Sequence, residues 1–209
     1  MRIQYSMVKI GVLGFQGDVQ EHINSIRSVL QPSRGTVTQI KKTEDLDGIS
    51  GLVIPGGEST TIFKLISMYG IYDKIVRMGQ SGLPIMGTCA GLIILSSKTN
   101  DEKVRGMGLL NVEILRNAYG RQIDSFIDSI DIEGIGKFPA VFIRAPVISK
   151  VGEVEVMAYY RDNPVMVRNG NVLGLTFHPE LTGDLRIHEY FIHMAERGAV
   201  PVEERKVVR

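Results

Sequence analysis

The sequence predicts a single α/β domain on a mostly parallel, doubly wound sheet, with antiparallel strands added in its second half. Three observations predict it. Short apolar runs at Val8 to Leu13, Gly51 to Ile54 and Leu83 to Met86 each lead through a glycine-bearing turn into a helix-like stretch, the rhythm of parallel crossover units. From Val112 onward the segments are short, often alternating, and punctuated by Gly, Pro and Asn, as antiparallel strands are. The 209 residues are 44% hydrophobic with no composition break, enough for one sizeable core.

Val8 to Leu13 reads as a buried strand, and Gly14-Phe15-Gln16-Gly17 turns it into a helix over Asp18 to Leu30, with Ile23, Ile26, Val29 and Leu30 on one face. Thr36 to Lys41 is the second strand. Gly51 to Ile54 is the third, ended by Pro55-Gly56-Gly57, after which Ser59 or Thr60 caps a helix to about Met78 with Gly70 as its weak point. Leu83 to Met86 is the fourth strand, followed by a helix over Leu92 to Ser97. Val112 to Arg116, Ser125 to Ile132, Ala140 to Arg144, Val154 to Tyr160, Pro164 to Arg168 and Val172 to Phe177 are the expected antiparallel additions. Asp184 to Arg197 closes the fold as an amphipathic helix with Leu185, Tyr190, Phe191 and Met194 inward. Residues 1–6 read as an extension, 7–197 as the domain and 198–209 as a tail.

Composition excludes several classes. Lys+Arg at 24 against Asp+Glu at 23, spread along the chain, leaves no basic footprint for nucleic acid. A single cysteine forms no internal disulfide, no apolar run approaches a membrane span, and the N-terminus lacks a signal-peptide pattern, so a cytoplasmic setting is expected.

The cysteine itself is the most informative residue. Cys89 lies in Gly87-Thr88-Cys89-Ala90-Gly91, between an apolar strand and a helix, where glycines two residues to either side permit the sharp turn of a nucleophile elbow. A sulfur at a helix N-terminus is favoured as thiolate. Its base is expected at His178, in Phe177-His178-Pro179-Glu180. Pro179 pushes His178 toward extended backbone, where side chains at i and i+2 point the same way with α-carbons roughly 6.6 to 7 Å apart, so Glu180 reaches the imidazole and fixes its tautomer. Oxyanion donors are available from the Ala90 amide and the Gly56-Gly57 turn, and such turns gather at the carboxyl ends of a doubly wound sheet.

These residues, with Pro55-Gly56-Gly57-Glu58-Ser59-Thr60, resemble the class I glutamine amidotransferases, a three-layer fold whose glutaminase domains hydrolyse the side-chain amide of glutamine. Gly14-Phe15-Gln16-Gly17, Asn117 to Gln122 with Asp124-Ser125-Phe126, Phe142 to Pro146 and the stretch from Phe177 to Phe191 are similar to the glutaminase subunits of pyridoxal 5′-phosphate synthases. The resemblance implies Cys89 as nucleophile, His178 as general acid and base, Glu180 as its orienting partner, and Gly57, Glu58, Ser59, Arg116, Ile143 and Arg144 as the glutamine site. Glu58 suits an ammonium or amide group, and either Arg116 or Arg144 the α-carboxylate. No cofactor and no metal are implied. The implied partner is a separate (β/α)8 synthase subunit in a large hetero-oligomer, which receives ammonia and combines it with ribose 5-phosphate and glyceraldehyde 3-phosphate.

Blander readings compete with these. A lone cysteine is more often a small buried hydrophobe than a nucleophile, and its flanking glycines reverse that preference here. Gly56-Gly57 taken alone is as well a tight turn, and Arg116, Ile143 and Arg144 rest on the resemblance. His188 and His193, five apart on the last helix, lack the spacing of a metal pair and read as structural, as does His22. The rival functions are a glutaminase serving another synthase, such as imidazole glycerol phosphate synthase, a cysteine peptidase or γ-glutamyl hydrolase, and a regulatory subunit without turnover.

Overall fold

A computed structural model describes residues 7–31, 34–116 and 125–199. The expectations for the 1–6 extension, for 117–124 and for the end of the tail lie outside the described residues. The strands β1 (Val8–Leu13), β2 (Gly35–Ile40), β3 (Gly51–Ile54) and β4 (Ile85–Thr88) alternate with the helices α1 (Val19–Val29), α2 (Ser59–Met68) and α3 (Ile71–Gln80), as the strand and helix pattern predicts. The helix expected to run from Ser59 to about Met78 is two helices. Gly70 breaks it at φ 67°, a left-handed conformation that costs glycine little.

Beyond β4 come α4 (Ala90–Leu95), β5 (Ser96–Thr99), β6 (Leu110–Leu115), β7 (Ser125–Ile132), β8 (Gly136–Ile143), β9 (Val147–Val151), β10 (Glu155–Tyr160), β11 (Asn163–Asn169), β12 (Val172–Leu175) and α5 (Arg186–Ala199). The main sheet runs β2-β1-β3-β4-β12-β11-β10-β7-β8, and β5, β6 and β9 form a separate small sheet. From β2 to β12 the pairings are parallel; from β12 to β8 they are antiparallel.

Three expectations need correction. Val172 to Phe177 is not simply an antiparallel addition, because β12 is parallel to β4 on one side and antiparallel to β11 on the other. Its four residues are all buried, the continuous apolar pattern of a strand covered on both faces. The helix after Cys89 starts at Ala90 and stops at Leu95, and Ser96 already belongs to β5, whose small sheet also takes β6 and the unanticipated β9. On α5 the buried stripe runs through Ile187, Phe191, Ile192, Met194 and Ala195, while Tyr190 is half-buried with its hydroxyl 2.7 Å from Arg168 Nη1.

Two apolar layers flank the sheet. One packs Val8, Ile10, Val12, Val53, Met86 and Leu173 against Ile23 and Ile26 of α1 and Ile187 and Phe191 of α5. The other packs Leu13, Leu52, Ile54, Ile85 and Val172 against α2, α3 and α4 through Ile62, Ile66, Ile75 and Leu92. The sheet is thus the middle of three layers, and its parallel strands end together on the side where Gly14, Pro55 and Cys89 follow them. No helix among the described residues is long and apolar enough to cross a membrane.

Candidate active site

Cys89 follows β4 directly and precedes the first residue of α4, so the chain turns from strand to helix at the sulfur-bearing residue. It does so at φ 49°, ψ −100°, a conformation that L-residues rarely adopt. The turn is held by the Cys89 N–H, which donates to Leu175 O of β12 at 2.8 Å. The tightness also dictates the flanking residue: a β-carbon on Gly91 would sit 2.1 Å from Ile54 O. The spacing of glycines around the cysteine is therefore a packing requirement between α4 and β3 as well as a freedom of the backbone.

His178 stands beyond the end of β12, the strand next to β4, with its own N–H donating to Val141 O at 2.8 Å. It lines the same cavity as Cys89 from the neighbouring strand, and its Nε2, buried and without a hydrogen-bond partner among the described residues, is the ring nitrogen left free for the thiol. Nδ1 of His178 lies 2.8 Å from Glu180 Oε1, as the i and i+2 geometry predicts, and 3.1 Å from Asp18 Oδ2. Burial pulls the His178 pKa down, but the neighbouring Asp18, Cys89 and Glu180 outweigh it and raise it to about 12. Burial pushes Glu180 up, with the His178 contact opposing it.

A cavity of about 390 Å3 opens over the sulfur. Of the residues expected at the site, Gly57, Glu58, Ser59, Cys89, Arg116, Ile143, Arg144 and His178 line it. Gly56, Ala90 and Glu180 stand behind the wall: Gly56 against the His178 ring, Ala90 beside the thiol at the head of α4, and Glu180 buried beneath His178. The amides of Gly57 and Ala90 take no backbone partner among the described residues, leaving them available to an oxyanion. Cys89 Sγ is 4.0 Å from Ile143 O. Arg116 pairs with Asp101 and lies 3.7 Å from Glu58 Oε2, so its guanidinium and the Glu58 carboxylate are neighbours. Arg144 makes no ion pair among the described residues and holds φ 41°. The Ser59 hydroxyl, buried at the start of α2, has no hydrogen-bond partner among the described residues.

Sequence reasoning missed three contributors. Gln16 Oε1 accepts the Glu58 N–H at 2.7 Å and pins the Gly-Gly turn. Asp18, expected only as the start of α1, puts a second carboxylate on His178. Its signal was an acidic residue at a helix head with no cap to make: the Asp18 side chain forms no cap hydrogen bond. His22, read as structural, touches Glu180 Oε2 at 3.3 Å. Asp18, His178 and Glu180 offer ligand atoms within 4.8 Å of one another, but the imidazole between two carboxylates is already accounted for by its own proton.

Comparison with known proteins places these features in context. The model of the SNO glutamine amidotransferase family matches residues 12–197. A protein of Thermoplasma volcanium named pyridoxal 5′-phosphate synthase subunit PdxT is 58% identical over 194 residues, covering 92% of this chain and 98% of that one. A protein of the same name from Thermococcus kodakarensis is 48% identical, covering 90% and 100%. Among solved structures, one titled as a glutamine amidotransferase superposes with a TM-score of 0.84 at 44% identity, covering 89% of this chain and 98% of that one.

Proposed function

The chain belongs to the SNO glutamine amidotransferase family, and from that premise we propose that it is the glutaminase subunit of a pyridoxal 5′-phosphate synthase, releasing ammonia from glutamine at Cys89. One observation carries the chemistry: a thiol on a strained strand-to-helix turn, an imidazole backed by a carboxylate, and an adjacent Glu58–Arg116 pair share one cavity. The glutaminase unit is residues 7–197.

An α-amino acid carries its ammonium and carboxylate on the same carbon, so their partners must be neighbours. Glu58 and Arg116 are, which favours Arg116 over Arg144 for the α-carboxylate. Glutamine held there extends its side chain toward Cys89. With His178 carrying the proton, the sulfur attacks the amide carbon as thiolate, and the amides of Ala90 and Gly57 receive the oxyanion. His178 protonates the nitrogen, the C–N bond breaks, and ammonia leaves a γ-glutamyl thioester. Acylation removes the thiolate charge that helped hold the proton on the ring, so the neutral imidazole can then take a proton from water. Attack by that water breaks the C–S bond and gives the γ-carboxylic acid, which releases its proton to solvent as glutamate, with the sulfur again a thiolate and the ring again protonated. The ammonia passes to a (β/α)8 synthase subunit, which combines it with ribose 5-phosphate and glyceraldehyde 3-phosphate.

The test mixes the purified chain with such a synthase subunit and follows pyridoxal 5′-phosphate. Formation that depends on glutamine and on Cys89 is expected; formation from ammonium salts alone, with glutamine inert, would overturn the reading.

A further inference from the structure

Behind the proposed triad lie buried polar groups that the chemistry above does not use. His22 on α1, His188 on α5 and Thr88 at the end of β4 are each 0% exposed. His22 Nε2 lies 3.3 Å from Glu180 Oε2 and 3.2 Å from Thr88 Oγ1, while His22 Nδ1 lies 3.1 Å from His188 Nε2. Two histidines packed beneath a buried carboxylate are costly in a core unless their hydrogen bonds are arranged to a purpose.

One placement of protons suits the whole set. Glu180 Oε1 accepts the His178 Nδ1–H, whereas Oε2 faces His22 Nε2 at 3.3 Å and meets no aligned hydrogen-bond donor among the described residues, which leaves it as the buried oxygen in need of one. A bare His22 Nε2 would set a lone pair against the carboxylate. With the proton on Nε2, His22 donates toward Glu180, Thr88 Oγ1 accepts from the same N–H, and Nδ1 accepts from His188 Nε2–H. His188 Nδ1, which has no partner among the described residues, is then the bare nitrogen, a lesser loss than an orphaned N–H. Burial keeps both rings neutral: His22 is pushed well below its usual value by desolvation and then by His188 and His178, and His188 falls to about 4 by desolvation.

We propose that His22 is a positioning residue of this active site: fixed by His188 as its Nε2–H tautomer, it donates to Glu180 Oε2 and thereby holds the carboxylate that orients His178. The inference rests on the glutaminase reading. The groups facing this relay are Glu180 and His178 after β12, His188 on α5, Asp18 at the head of α1 and the non-titrating Thr88 of β4.

The test combines steady-state glutaminase kinetics of His22→Leu and His22→Gln, in complex with the synthase subunit and across pH, with 15N NMR of the histidine rings in the wild-type chain. His22→Leu is expected to lower kcat about 10- to 100-fold, the scale of a lost hydrogen bond to a buried charge, with KM changed less than about twofold. The acid limb of its kcat profile moves to higher pH, because an unsupported Glu180 holds its proton more tightly. His22→Gln, whose amide nitrogen takes the place of Nε2, restores most of the rate. The ring spectrum shows His22 neutral, protonated on Nε2 and bare on Nδ1, from about pH 5 to 8.

Wild-type kcat with an unshifted profile in His22→Leu, or a His22 ring protonated on Nδ1, would overturn the proposal. Should His22→Leu not fold, a His22→Gln rate as low as that of a Glu180 variant overturns it equally. Failure of the wild-type complex to release ammonia from glutamine instead rejects the glutaminase reading, while the ring tautomer is still read independently.

Discussion

The imidazole of His178 rests against the α-carbon of Gly56, so closely that a β-carbon there would lie 2.4 Å from Cε1 and 2.9 Å from Nδ1. The glycine after β3 is thus required by the ring it supports, and the Gly56-Gly57 turn, proposed to bind the oxyanion, packs as one unit with the proposed general base. Gly56→Ala is expected to fold, since the atoms displaced belong to a side chain at the cavity wall. It is also expected to lose at least about 100-fold in kcat, because a base moved by about an ångström no longer meets the thiol. Circular dichroism beside ammonia release checks both halves.

Cys89→Ala is expected to abolish ammonia release from glutamine while the variant still binds the synthase subunit and leaves its use of added ammonium intact. The substitution removes only a sulfur facing the cavity and keeps the chain turn intact. Coupled assays with glutamine or ammonium as nitrogen source separate the outcomes.

Glu180→Gln is expected to cost less than removal of Cys89 or His178, because Glu180 orients the ring and transfers no proton. Asp18 softens the loss further, since its carboxylate also meets Nδ1, at 3.1 Å. In the double variant Asp18→Asn/Glu180→Gln the fall in kcat should therefore exceed the product of the single losses, a coupling that a double-mutant cycle measures directly.

Arg116→Met is expected to raise KM for glutamine about tenfold or more with kcat little changed, whereas Arg144→Met raises it less. The asymmetry follows from the 3.7 Å approach of Arg116 to Glu58. A larger KM effect at Arg144 would reassign the carboxylate site.

Stability should pass through a maximum near neutral pH. The folded pKa of His188, at about 4, lies below the unfolded value of 6.5, so the unfolded chain binds its proton first and stability is lost as pH falls from 6.5 toward 4. His22 acts in the same sense. His178 acts oppositely: raised to about 12, its contribution is complete below 6.5 and declines as pH rises toward 12. Urea midpoints from about pH 4 to 9 check the shape, and His188→Gln should flatten the acid side.

Much of this architecture is legible because it is local. The buried strands β1 and β3 and the elbow around Cys89 each announce themselves within a few residues, through continuous apolar runs and the glycines that end them; the expected cap of α2 at Ser59 or Thr60 does not form, since Glu58 takes the N-cap position with no side-chain cap bond and Ser59 is already helical. The His178–Glu180 contact is legible for the same reason, since Pro179 between them sets the backbone geometry. Less legible was β12, whose hairpin with β11 reads as antiparallel while its other edge pairs in parallel with β4. Local spacing holds no record of a neighbour more than 80 residues away, as Leu173 and Met86 are.

The sequence by itself therefore determined the strand and helix rhythm, the elbow and the His178–Glu180 pair, because each depends on backbone geometry across a few neighbouring residues. Only the tertiary structure decided that the Asp18 carboxylate comes within 3.1 Å of His178 Nδ1, that Arg116 stands beside Glu58, and that His22 and His188 lie beneath Glu180. Those contacts join residues from separate elements. Their identity is fixed by how the two apolar layers pack the helices on the sheet, a long-range outcome that periodicity and motif spacing do not encode.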